Sequence, residues 1–126
     1  MKRHLFLLLT LTLLASSSFA AELKESRYKY VQASIGKGKP YFLEVGAKSC
    51  ASCQDMSHTL RTILDEQPNL NIHFINVQKE RSAAQTLEVR MIPTQIIYDE
   101  SGKEVYRNVG VLNKTQVEEL LKKYKF

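Results

Sequence analysis

The chain has 126 residues, room for one domain of ordinary size, and its 44% hydrophobic and 25% charged residues exclude a disordered chain. With 18 Lys and Arg against 13 Asp and Glu the net charge is +5. The basic residues are scattered from Lys24 to Lys125, with no long run and no interleaved aromatics, so nucleic-acid binding is not expected.

The N-terminus has its own composition. Lys2 and Arg3 are basic, Leu5 to Ala15 is almost wholly apolar, and Ser18-Phe19-Ala20 offers small residues at a cleavage position. This is the layout of a secretory signal peptide over residues 1–20, cut after Ala20, leaving a domain of residues 21–126 with a periplasmic location and a net charge near +3. The competing reading is an uncleaved anchor, against which the apolar run is short of the about 20 residues a span needs. No cysteine lies near the cleavage site, so a lipoprotein anchor is unsupported.

Glu22 to Ile35 carries a weak helical stripe, closed by Gly36-Lys37-Gly38-Lys39-Pro40. Tyr41 to Val45 is a short apolar run read as a buried strand, with Glu44 its one charge. From Cys50 to Glu66, Cys53, Met56, Leu60, Ile63 and Leu64 follow the three-and-four spacing of one helix face. Asn71 to Val77 alternates as a second strand, and Gln78 to Glu88 reads as a modest helix. Thr94–Tyr98 and Glu104–Val109 are strands joined by Asp99-Glu100-Ser101-Gly102, hence an antiparallel hairpin. Asn113 can cap a final helix containing Val117, Leu120, Leu121 and Tyr124. The strand–helix–strand units imply parallel pairing, and the hairpin adds an antiparallel edge. The fold class is α/β: a four-stranded mixed sheet with helices on both faces.

Cys50 and Cys53 are the only cysteines and stand two residues apart, where a strand gives way to a helix. Cross-linking so small a loop stabilises by only roughly 2 kcal/mol, against about 3 for fifteen residues, so the pair suits reversible chemistry better than stapling. Outside the cytoplasm a dithiol is oxidised unless a partner keeps it reduced. The CxxC of Lys48-Ser49-Cys50-Ala51-Ser52-Cys53, about forty residues before Ile92-Pro93-Thr94, in this order of strands, resembles the thioredoxin superfamily over nearly all of the mature chain. Val89 to Thr94 is especially close to thioredoxin, whereas the opening helix and Gly38-Lys39-Pro40 are more similar to periplasmic thioredoxin-like reductase domains such as the C-terminal domain of DsbD. Two positions depart from the pattern. Ser49 replaces the usual tryptophan before the first cysteine, and Gly46 stands where an aromatic is common, which predicts a smaller, more polar surface around the site.

The resemblance implies a thiol:disulfide oxidoreductase whose only redox group is the Cys50–Cys53 pair, with no other cofactor. Cys50, at a helix start that favours its thiolate, is the expected nucleophile, and Cys53 the resolving thiol. Lys48 either adds positive potential or is simply solvated. Glu44 matches the superfamily's buried acid, which relays the Cys53 proton; the alternative is a glutamate tipped to solvent. Pro93 resembles the superfamily's cis-proline, against a trans proline opening a strand. Ile92 and Pro93, with Ser49, Ala51 and Ser52, form the expected substrate surface, while Met91 and Ile92 suit a groove or the core equally.

Reduction of disulfides in envelope proteins is the leading function. Exported cysteine proteins are the expected substrates, a membrane electron-transfer partner of the DsbD/CcdA type the electron source, and a monomer the expected state. A thiol oxidase of the same fold is the alternative, as is a Cu(I)-binding or delivery module using the two thiolates. No metal site is expected. His58 and His73 read as surface or core residues, two cysteines without a well-spaced histidine pair give no closed zinc site, and Gln54 after Cys53 excludes the CxxCH haem signature.

Overall fold

The computed structural model describes residues 23–126. The signal peptide expected over residues 1–20 lies outside the described residues.

Strand β1 (Tyr41–Gly46) is buried at all six positions because it is covered on both faces and paired on both edges. The sheet runs β2 (Ile72–Asn76), β1, β3 (Thr94–Tyr98), β4 (Glu104–Val109). Alternation sorts the side chains. Phe42, Ile72, Phe74 and Ile97 pack against Met56, Leu60 and Ile63 of helix α2 (Ala51–Glu66) and Val117 and Leu121 of helix α4 (Lys114–Lys123). Tyr41, Leu43, Val45, Ile75 and Ile96 meet Val31 of helix α1 (Tyr28–Ser34) and Ala83 of helix α3 (Arg81–Thr86) on the opposite face. The five predicted apolar positions of α2 are its five buried ones. At α4, Asn113 and Gln116 form a reciprocal capping box, each side chain accepting from the other's backbone N–H at 2.9 Å.

Two expectations are corrected. The opening helix starts only at Tyr28, because Lys24 to Ser26 runs extended along the open edge of β2. The Phe74 N–H donates to the Lys24 carbonyl at 3.0 Å and the Ser26 N–H to the Phe74 carbonyl at 2.8 Å. Backbone pairing on a free strand edge outweighs a weak amphipathic stripe.

The second strand–helix–strand unit is also not a parallel crossover: β1 pairs parallel with β2 but antiparallel with β3. The reason is length. Six-residue α3 advances the chain about 9 Å, against about 17 Å for a five-residue strand, so it does not return the chain to the sheet's other end. The chain turns through residues 87–93 instead, braced where the Arg107 Nη1–H donates to the Leu87 carbonyl at 2.9 Å. Strand β3 therefore starts where β1 finishes, with Thr94 opposite Val45. This reversal delivers Pro93 to the end of the sheet that carries the cysteines.

Candidate active site

Cys50 is the N-cap of α2. Its backbone is extended (φ −90°, ψ 120°), and its Sγ accepts the Cys53 backbone N–H at 3.3 Å. A thiol thus takes the place usually held by a Ser or Asp oxygen, and an N–H aimed at Sγ, together with the helix dipole, stabilises negative charge there. Ser52 Oγ lies 3.4 Å from the same sulfur. Cys50 is half-buried and Cys53, one turn on, is sealed. The two sulfurs are disulfide-bonded, with Cα atoms 5.1 Å apart.

The seal over Cys53 explains Gly46. A Cβ on Gly46 would stand 3.2 Å from Cys53 Sγ and 3.3 Å from the Phe74 ring. Gly46 is itself buried, so its small size serves the seat of Cys53; the smaller surface expected from it is confined to Ser49. Ser49 and Ala51 are exposed, and Ser49 Oγ accepts from Gln78 Nε2 at 2.7 Å. Lys48 is exposed but paired, its Nζ lying 3.1 Å from Glu25, which Lys79 also meets at 2.9 Å. The bond from Lys79 holds the Glu25 carboxyl below its ordinary range, with Lys48 adding to the effect against a smaller desolvation penalty. A carboxylate beside Lys48 thus offsets the positive potential it would cast on Cys50.

Glu44 does not tip to solvent. It is 0% exposed, two residues before Gly46 on the same face of β1, one pleat step beneath Cys53. Burial pushes its carboxyl from the ordinary 4.5 up to about 8, against an opposing pull from Gln95. Gln95 Nε2 donates to Glu44 Oε2 at 3.1 Å, while Oε1 is buried without a partner. Gln95 in turn accepts from Asn108 Nδ2 at 2.7 Å. Neither amide stood out in the sequence. The available signal was Gln95 itself, a polar residue inside a buried strand and in register with a buried acid.

The Ile92–Pro93 peptide is cis. Pro93 is buried next to the β1–β3 pair Val45–Thr94, at the level of Gly46, and its carbonyl accepts the Gly110 N–H at 2.8 Å. Ile92 is half-buried outside the β3 ladder, and Met91, placed with it between groove and core, is 68% exposed. Val109, at the end of β4 opposite Thr94, and Val111 just beyond it are exposed, so an apolar rim borders Pro93.

The histidines lie elsewhere. His58 is exposed on α2, and His73 stacks on Tyr41 with Ser26 Oγ at 3.1 Å and Asn71 Oδ1 at 2.9 Å. Among the described residues no cluster of three or more His, Cys, Asp or Glu is arranged to hold a metal ion.

Comparison with known proteins agrees with this geometry. A family model described as a thioredoxin-like domain matches residues 29–125. Thioredoxin of Chlamydia pneumoniae is 33% identical over 78 residues, 62% of this chain and 76% of that protein. Thioredoxin of Chlamydia trachomatis is 30% identical over the same shares. Among solved structures, a mutant thioredoxin from Halobacterium salinarum superposes with a TM-score of 0.72 at 21% identity, covering 85% of this chain and 94% of that one. A chloroplastic thioredoxin z gives 0.70 at 16% identity, covering 82% and 95%. The chain belongs to the thioredoxin-like family and is a thiol:disulfide oxidoreductase with Cys50 and Cys53 as its redox pair.

Proposed function

We propose that the chain is an exported reductase of disulfides in envelope proteins. The observation that carries the chemistry is the asymmetry of the pair: Cys50 half-buried at the N-cap of α2, Cys53 sealed beneath it above Glu44. In the reduced form the Cys50 thiolate attacks one sulfur of a substrate disulfide. That bond breaks, a Cys50–substrate disulfide forms, and the departing substrate thiolate takes a proton from water. Cys53 gives its proton to the Glu44 carboxylate and attacks Cys50 Sγ, releasing the second substrate thiolate. Two electrons pass from the dithiol to the substrate and leave the Cys50–Cys53 disulfide. A dithiol on a membrane electron carrier of the DsbD/CcdA type returns the chain to its reduced form.

Ile92 and Pro93, with Ser49, Ala51 and Ser52 across from them, form the face that receives an extended substrate segment. The exposed Met91, Val109 and Val111 support this reading by offering apolar contact beside it. Export rests on the layout of residues 1–20, and the chain acts as a monomer.

The test is the reduction potential of the Cys50–Cys53 couple with insulin reduction as the activity. A potential near thioredoxin's, about −270 mV, supports the reductase, and one near the −120 mV of DsbA reverses the direction to oxidase. The mass of the protein recovered from the envelope tests export: a chain starting at Ala21 is expected, and a full-length cytoplasmic chain overturns it.

A further inference from the structure

One polar row crosses the buried α2 face of the sheet. In register, Phe74 of β2 stands beside Glu44 of β1, Glu44 beside Gln95 of β3, and Gln95 beside Asn108 of β4. The side of Glu44 toward β2 is therefore aromatic, and every polar contact comes from the other side. Gln95 is 0% exposed, and Asn108 is half-buried on the edge strand.

The direction of the bonds is set from one end. Asn108 Nδ2 lies 3.3 Å from the Gly110 carbonyl oxygen, which can only accept, so the amide group facing it is the NH2. The same NH2 donates to Gln95 Oε1, which leaves Gln95 its own NH2 for Glu44 Oε2. A flip of Asn108 would set its oxygen against those of Gln95 and Gly110, and a flip of Gln95 would set its NH2 against that of Asn108. The carboxyl of Glu44 thus meets a donor at Oε2 and nothing at Oε1. Gly110 also donates its N–H to the Pro93 carbonyl, so the row is moored to the loop that carries the proposed substrate face.

Building on the reductase reading, we propose that Gln95 and Asn108 are positioning residues for Glu44: they hold its Oε2 in a donor bond and leave Oε1 as the atom that receives the Cys53 proton. Among the described residues no cation pairs with Glu44, so a donor bond is what eases its ionisation, and the amide pair supplies one while leaving the other oxygen open. Among the other groups on this face, α2 contributes Cys53 and Met56, α4 contributes Val117 and Leu121, and β2 contributes Phe74. Tyr106 of β4 and Tyr124 also pack on this face, but the shift of Glu44 comes from burial and Gln95, and Cys53 carries no proton in the disulfide.

The experiment is a 13C NMR titration of the Glu44 side-chain carboxyl in the oxidised full chain and in two variants. Removing a donor disfavours the carboxylate, so Gln95→Met is expected to raise the midpoint by about one pH unit or more. Asn108→Ala, which keeps the Gln95 bond but frees its amide to turn, is expected to raise it by less. In single-turnover release of a Cys50-linked peptide, the pH profile moves up in parallel, and in a Glu44→Gln background neither substitution moves it. A folded Gln95→Met protein with an unmoved or lowered midpoint overturns the proposal. Should that variant not fold, an unmoved midpoint in Asn108→Ala does the same. The titration needs no turnover: failure of the wild-type chain to reduce insulin overturns the reductase reading, and an unmoved carboxyl overturns the role of the amides.

Discussion

Replacing Glu44 by glutamine in the oxidised protein isolates the cost of burying its carboxyl. The side chain keeps its size and can still accept from Gln95 Nε2, so packing is preserved and only the ionisable group is lost. Folded Glu44 titrates at about 8 and the unfolded residue at the ordinary 4.5. Between these values the unfolded chain has released a proton that the native chain retains, so stability falls as pH rises across that window and levels off above it. At about 1.4 kcal/mol per unit, the loss amounts to about 5 kcal/mol, comparable with the whole stability of a small domain.

Glu25 and Asp99, whose carboxyls are held below their ordinary values by their hydrogen bonds, act at lower pH and are shared by both proteins. Their stabilisation is present above the unfolded values and lost on acidification, and it cancels in the comparison. Urea denaturation of both proteins from pH 4.5 to 9, with the disulfide intact, reads the difference. The glutamine variant should match the wild type near pH 4.5 and exceed it by several kcal/mol at pH 9. Parallel curves, or a wild type that gains on its variant as pH rises, would refute the burial argument.

The remaining predictions concern packing and capping. Gly46→Ala places a methyl 3.2 Å from Cys53 Sγ and 3.3 Å from Phe74, and should destabilise by about 1–3 kcal/mol in urea while slowing release of a Cys50-linked peptide. Asn113→Ala opens the capping box of α4 and should cost about 1 kcal/mol without changing insulin reduction. Lys48→Ala removes one arm of an exposed ion pair with Glu25, so stability in urea should change by less than about 1 kcal/mol.

What was legible in the sequence was what a short window determines. The buried run of β1, the three-and-four spacing of α2, the hairpin at Gly102 and the Asn113 cap are local patterns, and each appears at its place. The Cys50–Cys53 pair was legible for the same reason. Two features depended on partners distant in the chain. Lys24 to Ser26 takes its conformation from the open edge of β2, some fifty residues away, and nothing in its own composition announces an extended segment. The direction of β3 follows from the shortness of α3, which the sequence marked only as a modest helix. The site divided along the same line. Glu44 drew notice as a charge in an apolar run, whereas Gln95 and Asn108 acquire meaning only from the register that sets them beside it. Ser49 and Lys48 look like free surface groups in the sequence, but Gln78 and Glu25 engage them across the fold.

The unequal roles of the two cysteines are the centre of the account, and intact-mass analysis of trapped intermediates tests them most directly. Reduced Cys53→Ala and Cys50→Ala proteins are each mixed with insulin and quenched with acid. Half-buried Cys50 in the first variant should accumulate as a mixed disulfide, and sealed Cys53 in the second should stay unmodified. Equal trapping through both cysteines, or trapping through Cys53 alone, would contradict the assignment of Cys50 as the attacking thiol.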